Sequence, residues 1–209
     1  MHRTADKTRA HVLEVAGELF YRKGIRATGV DLVAAEADVA PTTLYRLFTS
    51  KDGLVGAYVQ RTHQDFENLV STVIEAAGPD PRDQILAIFE TVFTQVTSER
   101  YRGCPMLMAL AEFPDPDLPA HRNAVAAKSW LRATIGHLTE RLGVDDPAEM
   151  ADHLMLVFEG LHASSQSLGP DGPAKRGRSL VQSILATAAP SPSRPVASPY
   201  GGLPSHELS

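Results

Sequence analysis

The sequence has few of the features that mark disulfide-bonded, metal-binding or membrane proteins. Its single cysteine, Cys104, excludes an intramolecular disulfide and leaves too few thiols for a structural zinc site. No apolar run approaches the ~18 residues of a membrane-spanning helix, and the N-terminus is charged rather than hydrophobic. We therefore expect a globular protein in the cytoplasm, with a core drawn from its 43% hydrophobic residues.

Catalytic motifs are also missing, with no phosphate-binding loop and no nucleophile elbow. The eight histidines invite a metal-binding hypothesis, but His153 and His162 are nine residues apart and would point to opposite sides of a helix. Glu159 and His162 share a face, which favours a polar helix–helix or dimer contact. We predict that the protein is not an enzyme and holds no metal or cofactor.

Positive charge is scarce overall, since the formal net charge is −5. Residues 1–62 nevertheless carry nine Lys/Arg and seven Asp/Glu, a local +2 that leaves −7 for the remainder. So small an excess means that phosphate binding would rest on a few placed groups and on helix N-termini. Arg3, Lys7 and Arg9, at the start of a helix predicted over residues 6–23, either contribute to such phosphate contacts or are simply solvated.

Residues 28–48 predict two short helices joined by a tight turn. Thr28 is suited to cap the first helix, and Asp31 three residues later adds a weak capping box, so this helix should begin near Gly29. Small apolar side chains form one narrow stripe along it, which lets a second helix approach closely: Val30, Val33, Ala34 and Ala37.

Pro41 is suited to the first position of the second helix, which should run to Phe48. Leu44 and Phe48 are four residues apart and face inward, and the opposite face is short, polar and aromatic. Two helices joined in this way form a helix-turn-helix, whose second helix normally enters the DNA major groove. The alternative is an ordinary helical hairpin within an all-α core.

Three segments, Gly24–Thr28, Val39–Phe48 and Ser50–Leu54, resemble the N-terminal DNA-binding region of the TetR family of bacterial transcriptional regulators. The resemblance spans about residues 8–60. It rests on Leu-Tyr-Arg-x-Phe followed by Ser-Lys-Asp and preceded by a capped helix. This combination is specific because it is hard to assemble by chance.

Three positions depart from the family pattern. Asp38 stands in the turn where the family often has glycine, and aspartate tolerates a left-handed backbone fairly well. Ala40 replaces a capping serine, at a cost of about 1 kcal/mol in helix stability. Leu47 replaces a histidine and cannot donate a hydrogen bond to phosphate. We expect these departures to alter the set of DNA contacts and to leave the fold unchanged.

The resemblance and the outward face together predict a DNA-binding surface on both short helices. Backbone amides at the start of the first helix should meet phosphate, and the threonine before them should hold that helix start in place. The threonines and the arginine of the second helix are candidates for base-edge or nearby contacts, since arginine pairs well with guanine O6 and N7. Tyr45 of the second helix and Lys51, which follows that helix, should contact the DNA backbone. The predicted residues are Thr28, Gly29, Val30, Pro41, Thr42, Thr43, Tyr45, Arg46 and Lys51.

Helical periodicity continues along the chain and predicts an all-α protein. We divide it into a helix-turn-helix DNA-binding domain (1–50), a connecting helix (51–78) and a helical ligand-binding and dimerisation domain (79–189), whose last two helices should span 147–168 and 174–188. Residues 190–209 hold five prolines and five serines and should form a disordered tail.

The resemblance implies that the last two helices pair with their copies as a four-helix bundle, because an operator with two half-sites requires a two-fold dimer. It also implies a small-molecule ligand in the second domain. Methionine and aromatic residues at helical spacing usually form core, but they also suit the lining of a cavity for a largely apolar ligand. Cys104 is better explained as a small buried apolar residue than as a nucleophile or redox switch. The candidate lining residues are Cys104, Met106, Phe113, Trp130 and Phe158.

These patterns predict a TetR-type regulator that binds double-stranded DNA as a homodimer, with no membrane partner. We expect a repressor that a small molecule releases from its operator. One alternative is a ligand-independent regulator or an activator on the same fold. Another is an α-helical small-molecule-binding protein that never contacts DNA.

Overall fold

All regular secondary structure in the described part of the chain is helical. The structure is a computed structural model that describes residues 2–187, with side chains from residue 5 onward, so the predicted tail 190–209 lies outside the described residues. The helices are α1 (His2–Lys23), α2 (Val30–Glu36), α3 (Pro41–Phe48), α4 (Lys51–Ala76), α5 (Pro81–Val96), α6 (Pro105–Glu112), α7 (Pro119–Leu142), α8 (Pro147–Leu168) and α9 (Gly177–Ala186), with a 3₁₀ turn at Pro173–Arg176.

The first three helices, the start of α4 and the short helix α6 share one hydrophobic core. Phe20 of α1 and Leu44 of α3 are fully buried in it, and the Phe20 ring meets Tyr58 of α4 edge to face at 5.4 Å. The apolar stripe predicted for α2 packs here as well, through Val33 and Ala34. Because α3 contributes two of its eight side chains to this core, its opposite face is directed outward.

The turn between α2 and α3 adopts the left-handed geometry that the sequence required. Asp38 has φ 53°, and its N–H donates to Ala35 O (3.2 Å), while the N–H of Val39 donates to Ala34 O (3.0 Å). This pair of bonds is the Schellman motif, in which glycine is the usual left-handed residue. Ala40 takes the N-cap position of α3 without a side-chain hydrogen bond. The prediction that aspartate can replace glycine in this turn is confirmed.

The predicted cap of α2 is wrong. Gly29, not Thr28, is the N-cap residue, and no side chain caps the helix, which begins at Val30. Thr28 is only 1% exposed, and its hydroxyl donates backward to Gly24 O (2.8 Å) at the end of α1. A buried hydroxyl needs a partner, and the free carbonyls where α1 ends supply one. Thr28 therefore holds the loop before α2 in place by bonding to α1.

A very tight turn joins α3 to α4. The N–H of Ser50 donates to Phe48 O (2.7 Å) across Thr49, which has φ 66° and ψ −42°, close to a classic γ-turn. Ser50 caps α4, since its Oγ accepts from Gly53 N (3.0 Å). Gly53 then lies directly against the Phe48 carbonyl, where a Cβ would overlap the oxygen. The direction of α3 is thereby set relative to the long helix α4.

The second core lies among the rest of α4, α5, α7, α8 and α9. Two helix bounds differ from the prediction. Helix α1 begins at His2, four residues earlier than expected, and the last predicted helix is divided into the 3₁₀ turn and α9. At the start of α9, Gly177 packs so closely on Leu161 and Phe93 that a Cβ would collide with both. The close approach requires glycine and thus marks where α9 begins.

We predict that Gly53→Ala destabilises the protein by about 1–3 kcal/mol, because the new methyl group must displace the Phe48 carbonyl. The same change in Gly136, inside α7, is the matched control, since nothing lies within 4 Å of a Cβ there. That variant should be stabilised by about 0.5–1 kcal/mol. Urea denaturation of both variants gives the comparison, and equal stabilities would contradict the close approach at the α3–α4 turn.

Candidate nucleic-acid interface and internal cavity

The outward face of α3 carries Pro41, Thr42, Tyr45 and Arg46, all of them exposed. Tyr45 is half exposed although it is large and aromatic. Within the described residues, neither the Tyr45 nor the Arg46 side chain makes a hydrogen bond or an ion pair. Thr43, the remaining DNA-binding candidate on α3, is partly buried. The fold therefore leaves a polar and aromatic helix face available to an external partner.

The start of α2 and the start of α4 flank this face differently. Gly29 is exposed and Val30 partly buried, but the side chain of Thr28 is enclosed and cannot itself contact DNA. Lys51 is partly buried, and its Nζ donates to Arg26 O (3.0 Å) in the loop before α2. An ammonium has three N–H donors, so this bond leaves two for a phosphate.

A cavity of about 620 Å³ lies among α4, α5, α6, α7 and α8. Its exposed lining residues belong to α4 and α5, so it reaches the surface between these two helices. Most of its wall is apolar, as expected for a small-molecule site. The lining residues are Thr62, His63, Asp65, Phe66, Leu69, Thr91, Thr94, Gln95, Cys104, Pro105, Met106, Ala127, Lys128, Leu131, Phe158 and His162.

Three of the five predicted lining residues, Cys104, Met106 and Phe158, are in this wall. Phe113 and Trp130 are not part of it. Phe113 ends α6 inside the first core, where the Arg26 guanidinium lies 5.2 Å from its ring centroid. Trp130 stands behind the wall, and its ring packs edge-on against Phe66 at 6.2 Å.

Polar side chains meet at one corner of the cavity. Lys128 Nζ of α7 donates to Glu159 Oε2 in α8 (3.0 Å), lies 2.7 Å from the other oxygen of that carboxylate, and lies 4.9 Å from the Phe158 ring centroid. It also lies 3.5 Å from Cys104 Sγ. His162 is buried beside them, with its Nδ1 2.7 Å from Tyr101 Oη. Burial and the Lys128 charge lower the pKa of His162 to about 4, so the imidazole is neutral at pH 7.

The short helix α6 connects the cavity to the loop before α2. Its first residues, Pro105 and Met106, line the cavity. At its other end the Glu112 carboxylate accepts from Ile25 N (3.1 Å) and Arg26 N (2.6 Å), and Arg26 Nε donates to Glu112 O (2.7 Å). The eight residues of α6 therefore link the cavity wall directly to the loop before α2.

Comparison with known proteins agrees with this arrangement. The family model for bacterial regulatory proteins of the tetR family matches residues 12–58. A TetR-family transcriptional regulator of Streptomyces coelicolor superposes with a TM-score of 0.82 at 30% identity, over 88% of this chain and 96% of the other. The HTH-type transcriptional regulator YjdC of Escherichia coli is 28% identical over 152 residues, which are 73% of this chain and 80% of that protein. The chain belongs to the TetR family.

As a TetR-family protein it is a DNA-binding transcriptional regulator, and its helix-turn-helix is formed by α2 and α3. The relatives named above are transcriptional regulators rather than enzymes. Among the described residues, no group of three His, Cys, Asp or Glu side chains is placed to hold a metal ion. No helix in that part of the chain is long and apolar enough to cross a membrane.

Two groups of cavity residues in this TetR-family regulator were not predicted from the sequence. One group comes from α4, and the other forms the polar corner. Thr62, Phe66 and Leu69 follow helical spacing on one face of α4, a signal that could have identified them. Lys128 had no such signal, since one lysine on a helix is ordinarily solvated. The predicted polar helix–helix contact is made by Glu159, which pairs with Lys128 of α7, whereas His162 contacts Tyr101 in the loop between α5 and α6.

We predict that His162 makes stability pH-dependent. Because its pKa is about 4 in the folded state and about 6.5 in the unfolded chain, only the unfolded state takes up a proton between these values. The free energy of unfolding should therefore fall as pH drops from 6.5 to 4, by up to about 3 kcal/mol from this residue. His162→Phe should lack this component, so denaturation at several pH values should show the free energy of unfolding of the wild-type protein falling relative to that of the variant as pH falls from 6.5 to 4. A pH-independent difference would contradict a buried neutral His162.

Proposed function

We propose that this regulator is a homodimeric repressor that binds a two-half-site operator through α3 and leaves it when a largely apolar molecule occupies the cavity. The observation that carries the proposal is the division of α3 into a buried apolar face, Leu44 and Phe48, and an exposed face without internal partners. A helix held in this way by its core can enter a major groove without unfolding.

The DNA contacts follow from the placement of each group. Arg46, Thr42 and Thr43 are the candidates for base edges, and Tyr45 with Lys51 would contact the DNA backbone on the same side. The backbone amides of Gly29 and Val30 at the start of α2 would meet phosphate. Thr28 contributes indirectly, by holding this loop to α1.

A second copy of the chain would cover the exposed face of α8 and α9. Leu156 is 70% exposed and Leu180 is 51% exposed, which is unusual for leucines on well-packed helices. Between them lies a groove lined by small residues, including Gly160 and Ser164, that allows another helix to approach. Pairing these faces about a two-fold axis gives a four-helix bundle and places two α3 helices for two half-sites.

Release from the operator would work by differential affinity. A ligand that prefers a conformation in which the two α3 helices are wrongly spaced must weaken DNA binding, and about 1.4 kcal/mol of preference gives a tenfold change. Helix α6 supports this coupling because it touches the cavity at Met106 and holds the loop before α2 through Glu112. Both sites then bias the position of one rigid element.

Activation is a second candidate function. The HTH-type transcriptional activator FasR of Mycolicibacterium smegmatis is 38% identical over 101 residues, 46% of this chain and 45% of that protein. The HTH-type transcriptional repressor NemR of Escherichia coli is 22% identical over 197 residues, 89% of this chain and 98% of that protein. The longer match favours repression. Transcription in vitro from a promoter carrying the selected operator distinguishes the two.

Selection of bound duplexes from a random DNA pool tests DNA recognition and yields the operator. On that operator Lys51→Ala should weaken binding to all sequence variants alike and reduce the slope of log affinity against log salt by about 1. Arg46→Ala should instead cost about 1–3 kcal/mol and relax the preference at one base pair. Arg132→Ala removes a cation from α7 and serves as the control, with an unchanged slope expected. If no duplex is enriched at low salt, the proposed function fails.

We predict that Leu156→Glu converts the dimer to a monomer, because it places two charges in the apolar centre of the α8–α9 bundle. Val125→Glu is the matched control, since Val125 is a 44% exposed apolar residue on α7 outside that face. Light scattering after size exclusion measures the mass of each. A dimeric Leu156→Glu variant would contradict this interface, and a monomeric wild-type protein would contradict the proposed assembly.

A further inference from the structure

The polar corner of the cavity offers one hydrogen-bond donor without a good acceptor. Two contacts of Lys128 Nζ go to the oxygens of Glu159 (2.7 and 3.0 Å), and its third neighbour is Cys104 Sγ at 3.5 Å. Sulfur is a weak acceptor, so one N–H of the ammonium is poorly satisfied. An oxygen atom of a bound molecule would be a better partner for it.

His162 supplies the complementary group. It lines the cavity and is 97% buried, and its Nδ1 is occupied by Tyr101 Oη at 2.7 Å. Among the described residues Nε2 has no hydrogen-bond partner, so it is the ring nitrogen left for a ligand. Tyr101 Oη also donates to the His162 carbonyl (3.2 Å), and both contacts are satisfied together when Nδ1–H donates to Oη. In that tautomer Nε2 is an acceptor.

The charges at this corner select against ionic ligands. Glu159 already neutralises Lys128, and Asp65 also lines the cavity, so a carboxylate would meet like charge. A cationic amine has no lone pair with which to accept the free Lys128 N–H. The rest of the wall near the corner is aromatic and apolar, with Phe158 4.7 Å from His162 and Phe66 6.2 Å from Phe158 between ring centroids.

We propose that the cavity recognises a neutral phenol or a closely similar hydroxylated apolar molecule. Its hydroxyl oxygen accepts from Lys128 and its hydroxyl proton is donated to His162 Nε2, while its apolar body lies against Phe66 and Phe158. A hydroxyl fits because it is both donor and acceptor and carries no charge. This inference rests on the proposed function, since it names the chemistry of the molecule that would occupy the same cavity.

Four probes of similar shape test it by equilibrium dialysis with the full chain at pH 7. 4-Propylphenol has the hydroxyl, 4-propylanisole keeps the oxygen but cannot donate, propylbenzene has neither, and 4-propylbenzoate is anionic. We expect 4-propylphenol to bind about tenfold more tightly than 4-propylanisole, which lacks one of its two hydrogen bonds, about a hundredfold more tightly than propylbenzene, which lacks both, and more tightly than the anionic 4-propylbenzoate. Equal binding of the phenol and propylbenzene, tighter binding of the benzoate, or no binding of any probe would overturn the inference.

The variant His162→Phe keeps an aromatic ring of similar size and removes the acceptor. It should bind propylbenzene with unchanged affinity and prefer 4-propylphenol over it by about tenfold less than the wild-type protein does, since only the Lys128 contact remains. The double variant Lys128→Met, Glu159→Gln removes the donor without leaving an unpaired charge and should reduce the same preference. A variant that folds, as judged by its circular dichroism, and keeps the full wild-type preference for the phenol over propylbenzene contradicts the assignment of that group.

Operator binding measured on the same preparation separates this inference from the proposed function. If the operator is bound and is released by extracted cellular metabolites, but the phenol shows no preference, the ligand chemistry is wrong and the function stands. If the phenol binds as expected but no operator is found, the ligand chemistry stands and the regulator mechanism fails. If the phenol binds and lowers operator affinity, both are supported.

Discussion

Burial of Leu44 and Phe48 is the interaction on which the rest of the molecule depends. These two side chains anchor α3 to α1, α2 and the start of α4, and every exposed group on the other face takes its direction from them. Each buried side chain of this size is worth about 1.5–3 kcal/mol, more than any single surface contact on the helix. The outward face can therefore consist of polar and aromatic groups that stabilise nothing within the protomer.

A second constraint is the shared position of α6. The helix buries Met106 and Ala109 in the first core, borders the cavity at its start and holds the loop before α2 at its end. Because Glu112 accepts from two consecutive backbone amides and Arg26 donates back to its carbonyl, the loop and the helix end move together. A movement of α6 would therefore displace the start of α2. We infer that this is the physical basis for coupling between the cavity and the DNA-binding helices.

Local sequence patterns correctly predicted the features that depend on interactions between neighbouring residues. The left-handed turn at Asp38 and the proline start of α3 depend on a few adjacent residues, and each is present in the structure. Thr28 shows the limit of such reasoning. Its neighbours in sequence predicted an N-cap for α2. In the fold its hydroxyl is buried and donates instead to the Gly24 carbonyl at the end of α1.

The sequence by itself determined the helical fold, the two faces of α3 and membership of the TetR family. Helical periodicity, capping and short motifs depend on residues that are close together in the chain. Only the tertiary structure decided which residues enclose the cavity, since Lys128, Glu159 and Tyr101 come from separate segments. Phe113 and Trp130 have the composition of a cavity lining but are not in its wall, because Phe113 is enclosed in the first core and Trp130 packs behind the wall on Phe66. Packing of distant helices is a non-local property, and no spacing along the chain specifies it.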